Sequence, residues 1–315
     1  MKIGYNYQYF VAIAIFFMMI NARLEAEEIN EPNDMDNFTS IGEVDKSYPL
    51  IDEHRSLSDS LWSFNNWPRE KKVLALNLGA VGAIAAIGDI SWEYGSSSFH
   101  FRSEGWFEHD SKYGGADKMG HAFSGYALAT IYNNIYRKWG YSDDEALLYG
   151  ALSSWGQMTM IEFGDGFSER YGFSWEDDVM DAAGAVFASL RQKFPRLKEM
   201  IDYRLEWFPS SDFRHGDQSD PFTDYSGQKY LLALKPDGFL KTNNSFLKAM
   251  ELHFGYYTRG YDGEKDSSSQ HRCTNVGIGL NVTYLLEHLT GHNAGRLFDY
   301  IQVPYTYISS SSEYH

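Results

Sequence analysis

The chain has 315 residues, is 43% hydrophobic and 17% aromatic, and carries a formal net charge of −16 at pH 7. That length and apolar content exclude a disordered chain, and the acidic balance repels phosphates, so no nucleic-acid partner is expected. Its single cysteine, Cys273, excludes an intrachain disulfide and a cysteine-rich zinc site; within KDSSSQHRCTN it reads as a free surface thiol.

In chain order, residues 1–26 read as a signal peptide. A charged start precedes an apolar run from Phe10 to Ile20, and Leu24 and Ala26 fit the −3 and −1 positions of a cleavage site. The run is short of the ~20 residues that a span requires. No cysteine follows the cleavage point, so no N-terminal lipid is expected. Export without disulfides points to a Gram-negative envelope, periplasmic or outer-membrane associated. Residues 27–60 are acidic and polar, an expected linker or arm.

Residues 61–208 read as a bundle of four to five helices. The first, Val73 to Gly88, is apolar but for Asn77 and rich in Gly and Ala. It is short, Asp89 closes it, and Lys71 and Lys72 would lie on the exported side, so it reads as a buried central helix and not as a span. Further helices are expected at about 116–139, 143–163 and 175–194, followed by an amphipathic stretch, PRLKEMIDYRLEWF. Ser174 with Asp177 forms the S-x-x-D capping signal of the fourth helix, and Glu176 and Asp178 suit its positive end.

Residues 209–315 change period. LHFGYYTRGY and VGIGLNVTYLL alternate, with Val276, Ile278, Leu280, Val282 and Tyr284 on one face and small or polar residues on the other, and KYLLALK and YIQVPYTYI add two weaker strands. The alternation is like that of outer-membrane strands, but four strands cannot close a barrel. The expected fold is α+β: a mainly helical bundle followed by a small antiparallel β-sheet packed on it.

Polar residues concentrate in the bundle. Asp117 and His121 are four apart on one helix, so they share a face. Glu162 comes from the third helix, Arg170 from the following loop, and Asp178 and Asp181 from the fourth helix. Three readings of this seam compete. In the structural one, Asp117 caps its helix, His121 bonds across to a neighbour, and Arg170 pairs with Asp178 or Asp181. In the second, His121 with Asp117, Glu162 or Asp181 binds a divalent metal. In the third, His121 is a general base oriented by Asp117. No zinc-protease or nucleophile-elbow motif accompanies them, and no cofactor is indicated. His100 and His109 fall in a loop, and Gly291 breaks the helix between His288 and His292, so neither pair reads as ligands.

"DKMGHAFSGYALA", Glu162, Arg170 and "DDVMDAAGA", in that order, resemble the VanZ-like pattern, and more closely the YfiM-type predicted periplasmic proteins, a family without an established function. The resemblance covers about residues 70 to 200. It departs where Asp181 stands in place of the Asn usual in VanZ-like proteins, and these helices are more polar. It implies envelope residence and a helical bundle with a polar seam, but no reaction. The expectation is an exported, non-enzymatic envelope protein at the outer membrane or its periplasmic face, with a membrane or envelope component as partner. The alternative is a metal-dependent or His-based hydrolase or transferase acting on envelope lipid or cell wall.

Overall fold

The structure, a computed structural model, describes residues 64–215, 221–261, 269–291 and 295–314. The expected signal peptide and the whole acidic arm lie outside the described residues, as does His292. Four long helices come first: α1 (Arg69–Ser91), α2 (Ala116–Lys138), α3 (Asp143–Asp165) and α4 (Trp175–Lys193). A five-stranded antiparallel sheet follows in simple chain order: β1 (Ile201–Trp207), β2 (Gln228–Leu234), β3 (Met250–Arg259), β4 (His271–Leu280) and β5 (Tyr307–Tyr314). A nine-residue helix, α5 (Val282–Thr290), follows β4. The fold is α+β.

Local chemistry sets the helix starts. Ser142 and Glu145 close a reciprocal capping box at α3, and the Ser174 hydroxyl accepts from the Asp177 amide at α4. The bundle centre is α2, which packs against α3, α4 and the sheet. Glycines set how close it comes. A Cβ at Gly125 would strike the Asp181 carbonyl oxygen of α4, and one at Gly184 the Ala122 carbonyl oxygen of α2. Around this contact Phe123, Tyr126, Ala129, Ala185 and Ala188 join Tyr203 and Tyr230 of the sheet in the main core.

The central place expected for the first apolar helix is therefore taken by α2. Only Gly88 of α1 is buried, and Leu74 and Leu78 are 58% and 62% exposed. The physical reason is satisfaction of polar groups. α2 carries Asp117, Lys118 and His121, whose charges need partners on several sides, whereas α1 from Val73 to Gly88 has Asn77 as its one strongly polar side chain. α1 rests on α3 and joins the bundle through Asn77, which donates to Tyr136 Oη and accepts from Gln157.

The C-terminal half corrects one amphipathic stretch and two strand readings. The stretch PRLKEMIDYRLEWF is helical only over Pro195–Met200; its second half is β1, an edge strand with every residue paired to β2. Strand β4 stops at Leu280 because Asn281 caps α5, so Val282 and Tyr284 are helical. The last strand begins at Tyr307, later than expected. Cys273 is not a surface thiol: it lies in β4 and is 2% exposed.

The sheet divides by chemistry: one face gathers buried charge, and the other is apolar, packed against α2 through Tyr203 and Tyr230 and exposed beyond them. The register Asp202–Ala233–His253–Gly277 and the next row, Arg204–Leu231–Gly255–Asn275, form one face, and its polar members are buried. Arg204 makes a bidentate pair with Glu251 at 2.7 Å on both arms and reaches Asp202 at 2.6 Å; Arg191 and Lys235 also pair with Asp202. Gln302, held by backbone bonding of its segment to Leu205, covers this network. On the opposite face Leu232, Leu252, Phe254, Val276, Ile278 and Ile308 are exposed.

Candidate functional site

α2, α3 and α4 bring one set of charged side chains together below the loop that precedes α2. Asp117 and Lys118 sit in the first turn of α2 with His121 one turn on; Glu162 comes from the end of α3, and Asp177 and Asp181 from the start of α4. The Lys118 ammonium is fully buried, 2.6 Å from Asp117 Oδ2, 2.7 Å from Asp177 Oδ1 and 3.9 Å from Glu104 Oε2. The His121 Nδ1–H donates to Asp181 Oδ1 at 3.1 Å, since a carboxylate can only accept. Its Nε2 faces Glu162 Oε1 at 3.7 Å and Asp177 Oδ1 at 3.8 Å. Glu162 Oε2 accepts the Ser174 amide, so the residue that caps α4 also fixes this carboxylate.

Of the expected seam residues, Asp117, His121, Glu162 and Asp181 converge, while Arg170 and Asp178 do not. Arg170 is exposed and lies against the Tyr171 ring, 5.2 Å from its centroid, so it pairs with neither Asp178 nor Asp181. Asp178 turns to α3, accepting from Trp155 Nε1 at 3.0 Å and from Thr159 Oγ1. Asp117 does not cap α2, whose N-cap is Gly115 in the left-handed region (φ 85°); its carboxylate meets Lys118 instead. Sequence reasoning missed Lys118 and Asp177. Helical spacing carries the signal for both: Lys118 and His121 are three apart, and Asp177 and Asp181 are four apart, so each pair shares a face. His100 and His109 are engaged locally, at Ser97 and against Tyr261.

Carboxylates outnumber cations here, and their titration reflects it. Burial pushes the Asp117 carboxyl up to about 7 against the pull of Lys118. Burial likewise lifts Asp181 to about 6 and Asp165 to about 7, in each case opposed by His121, and carries Glu162 well above its ordinary range. Asp177 moves the other way: burial would raise it, but His121 and Lys118 hold it low. Burial would lower the His121 pKa, and the Asp177, Asp181 and Glu162 carboxylates raise it well above 6.5. Chemically the cluster can hold a proton on imidazole or a cation between imidazole and carboxylates. Two groups have donor atoms within 4.8 Å of one another, His121–Glu162–Asp177 and Glu104–Asp117–Asp177.

This arrangement defines a class: a helical bundle with a buried Asp/Lys/His/Glu seam, apolar on its outside. Residues 103–193, which contain the whole seam, match a family described as "Predicted periplasmic lipoprotein (DUF2279)". The match supports a protein of the periplasm or envelope. No curated protein and no solved structure matches the chain. The lipid-bearing cysteine implied by the word lipoprotein cannot be Cys273, which lies within the sheet.

Proposed function

We propose that the protein is a non-enzymatic component of the cell envelope that is seated on a membrane, the outer membrane of a Gram-negative cell or its periplasmic face, with the polar seam holding its bundle in register. One observation carries this reading: charge lies inside and large apolar side chains lie outside. α1 is the one helix among the described residues that is long and apolar enough to cross a membrane by length and composition. Its 23 residues extend about 34 Å at 1.5 Å each, against ~30 Å of hydrocarbon. Beside it α3 exposes Leu148, Leu152, Trp155 and Phe163, and next to α3 the α4 helix exposes Trp175, Val179, Val186 and Leu190. A water-exposed monomer seldom carries contiguous apolar surface on this scale. Beyond the contact of Tyr203 and Tyr230 with α2, the apolar face of the sheet is exposed and its charged face buried, the polarity of membrane-embedded strands. The periplasmic description of the matching family supports an envelope location, in keeping with the YfiM-type resemblance.

Fractionation tests the reading. The protein should sediment with outer membrane on a density gradient, resist extraction by high salt and alkaline carbonate, and dissolve in mild detergent. Leu74→Lys combined with Leu78→Lys should move at least half of it to the soluble fraction without loss of the folded core. Wild-type protein recovered in the soluble periplasmic or cytoplasmic fraction would refute the proposal.

A further inference from the structure

The geometry points to a divalent cation site of the zinc class formed by His121 Nε2, Glu162 and Asp177, with Asp181 orienting the histidine. Four observations on separate side chains agree. First, Asp181 takes the Nδ1–H at 3.1 Å and so leaves Nε2, whose proton a bound metal would displace, directed at the other two ligands. A carboxylate behind a ligating imidazole is the usual outer partner of a metal-bound histidine, fixing both tautomer and ring orientation. Second, Nε2 stands 3.7 Å from Glu162 Oε1 and 3.8 Å from Asp177 Oδ1, too far for a hydrogen bond to either. Ligands at 2.0–2.1 Å from a tetrahedral ion are about 3.3 Å apart, so bringing each carboxylate to ligand spacing from Nε2 needs shifts of only a few tenths of an ångström. Third, Glu162 is preset: its Oε2 is occupied by the Ser174 amide, which turns Oε1 toward His121. Fourth, Asp177 is 3% exposed, and its Oδ1, paired with the Lys118 ammonium at 2.7 Å, is the carboxylate oxygen that faces His121 Nε2.

The neighbouring group, Glu104–Asp117–Asp177, surrounds the Lys118 ammonium, which lies 2.6 Å from Asp117, 2.7 Å from Asp177 and 3.9 Å from Glu104, so Lys118 and the proposed ion share the Asp177 carboxylate. One imidazole and two carboxylates are the mixed hard and borderline donors that zinc, and less tightly manganese, accept. The His121 side chain is 18% exposed while both carboxylates are buried, so a fourth position of the ion faces the one side open to solvent.

The test uses the full-length protein without a histidine tag, in detergent, stripped with chelator and titrated with Zn²⁺ by calorimetry while thermal melting is followed. One equivalent should bind and raise the melting temperature. Asp181→Asn should keep the stoichiometry and weaken binding ten- to a hundredfold. His121→Gln should abolish saturable binding and the zinc-dependent rise in melting. If that variant does not fold, Co²⁺ bound to the wild-type protein decides: intense visible bands of a four- or five-coordinate ion support the site, and the weak spectrum of hydrated cobalt refutes it. Folded wild-type protein that takes up no zinc, or a folded His121→Gln that binds as wild type does, also overturns the proposal. Neither result depends on where the protein fractionates.

Discussion

Lys118 shows what a single residue contributes here. A fully buried ammonium is costly to desolvate, and only its two short carboxylate contacts offset that cost. Lys118→Met removes the cation and leaves Asp117 and Asp177 buried beside each other. It is expected to destabilise the bundle by about 3–5 kcal/mol in denaturant titration. A change under 1 kcal/mol would mean the seam is wetter than its burial implies. The same residue marks the limit of reading site chemistry from one sequence. Asp117 and His121 stand out by spacing, yet the natural cation for the seam looked to be Arg170, which lies in a loop and points to solvent. Spacing orders residues within one helix; it does not say which loop residues turn inward.

At the level of elements, helix packing rests on positions without side chains. Gly184→Val places a branched side chain against the Ala122 carbonyl oxygen, where backbone cannot yield as a side-chain tip can. It should cost at least about 1–3 kcal/mol and lower the melting temperature. Gly156→Ala on α3, where an added Cβ meets nothing within 4 Å, should instead gain up to about 1 kcal/mol from helix propensity. Equal effects from the two would remove the glycine contact as the determinant of α2–α4 spacing. The long helices and the caps at Ser142 and Ser174 follow from local chemistry, and sequence alone indicates the helix positions and the α4 cap. β1 does not: IDYRLEW can be written on a helix as well as on a strand, and pairing with β2 decides it.

For the whole molecule, the second charged network beneath the sheet predicts acid behaviour. Asp202 is surrounded by Lys235, Arg204 and Arg191; burial would raise its carboxyl, and these cations lower it from 3.8 to about 2. A depressed folded-state value stabilises the fold above pH ~4, and that contribution is lost as pH falls toward 2. The difference corresponds to about 2 kcal/mol. Urea titrations between pH 5 and pH 2 should show this loss, and Asp202→Asn should flatten it from a lower plateau. An unchanged pH slope in that variant would assign the acid sensitivity elsewhere. The class of the molecule is legible residue by residue, as long helices, then alternating strands, with acids and a histidine placed periodically on the helices, because periodicity and capping are local. Tertiary structure decided which way each face points. A largely apolar helix such as α1 and an alternating strand such as β4 are equally consistent with a core or an exterior position. Only the need of Lys118, His121, Arg204 and Asp202 for buried partners turns the polar sides in and leaves the apolar sides out.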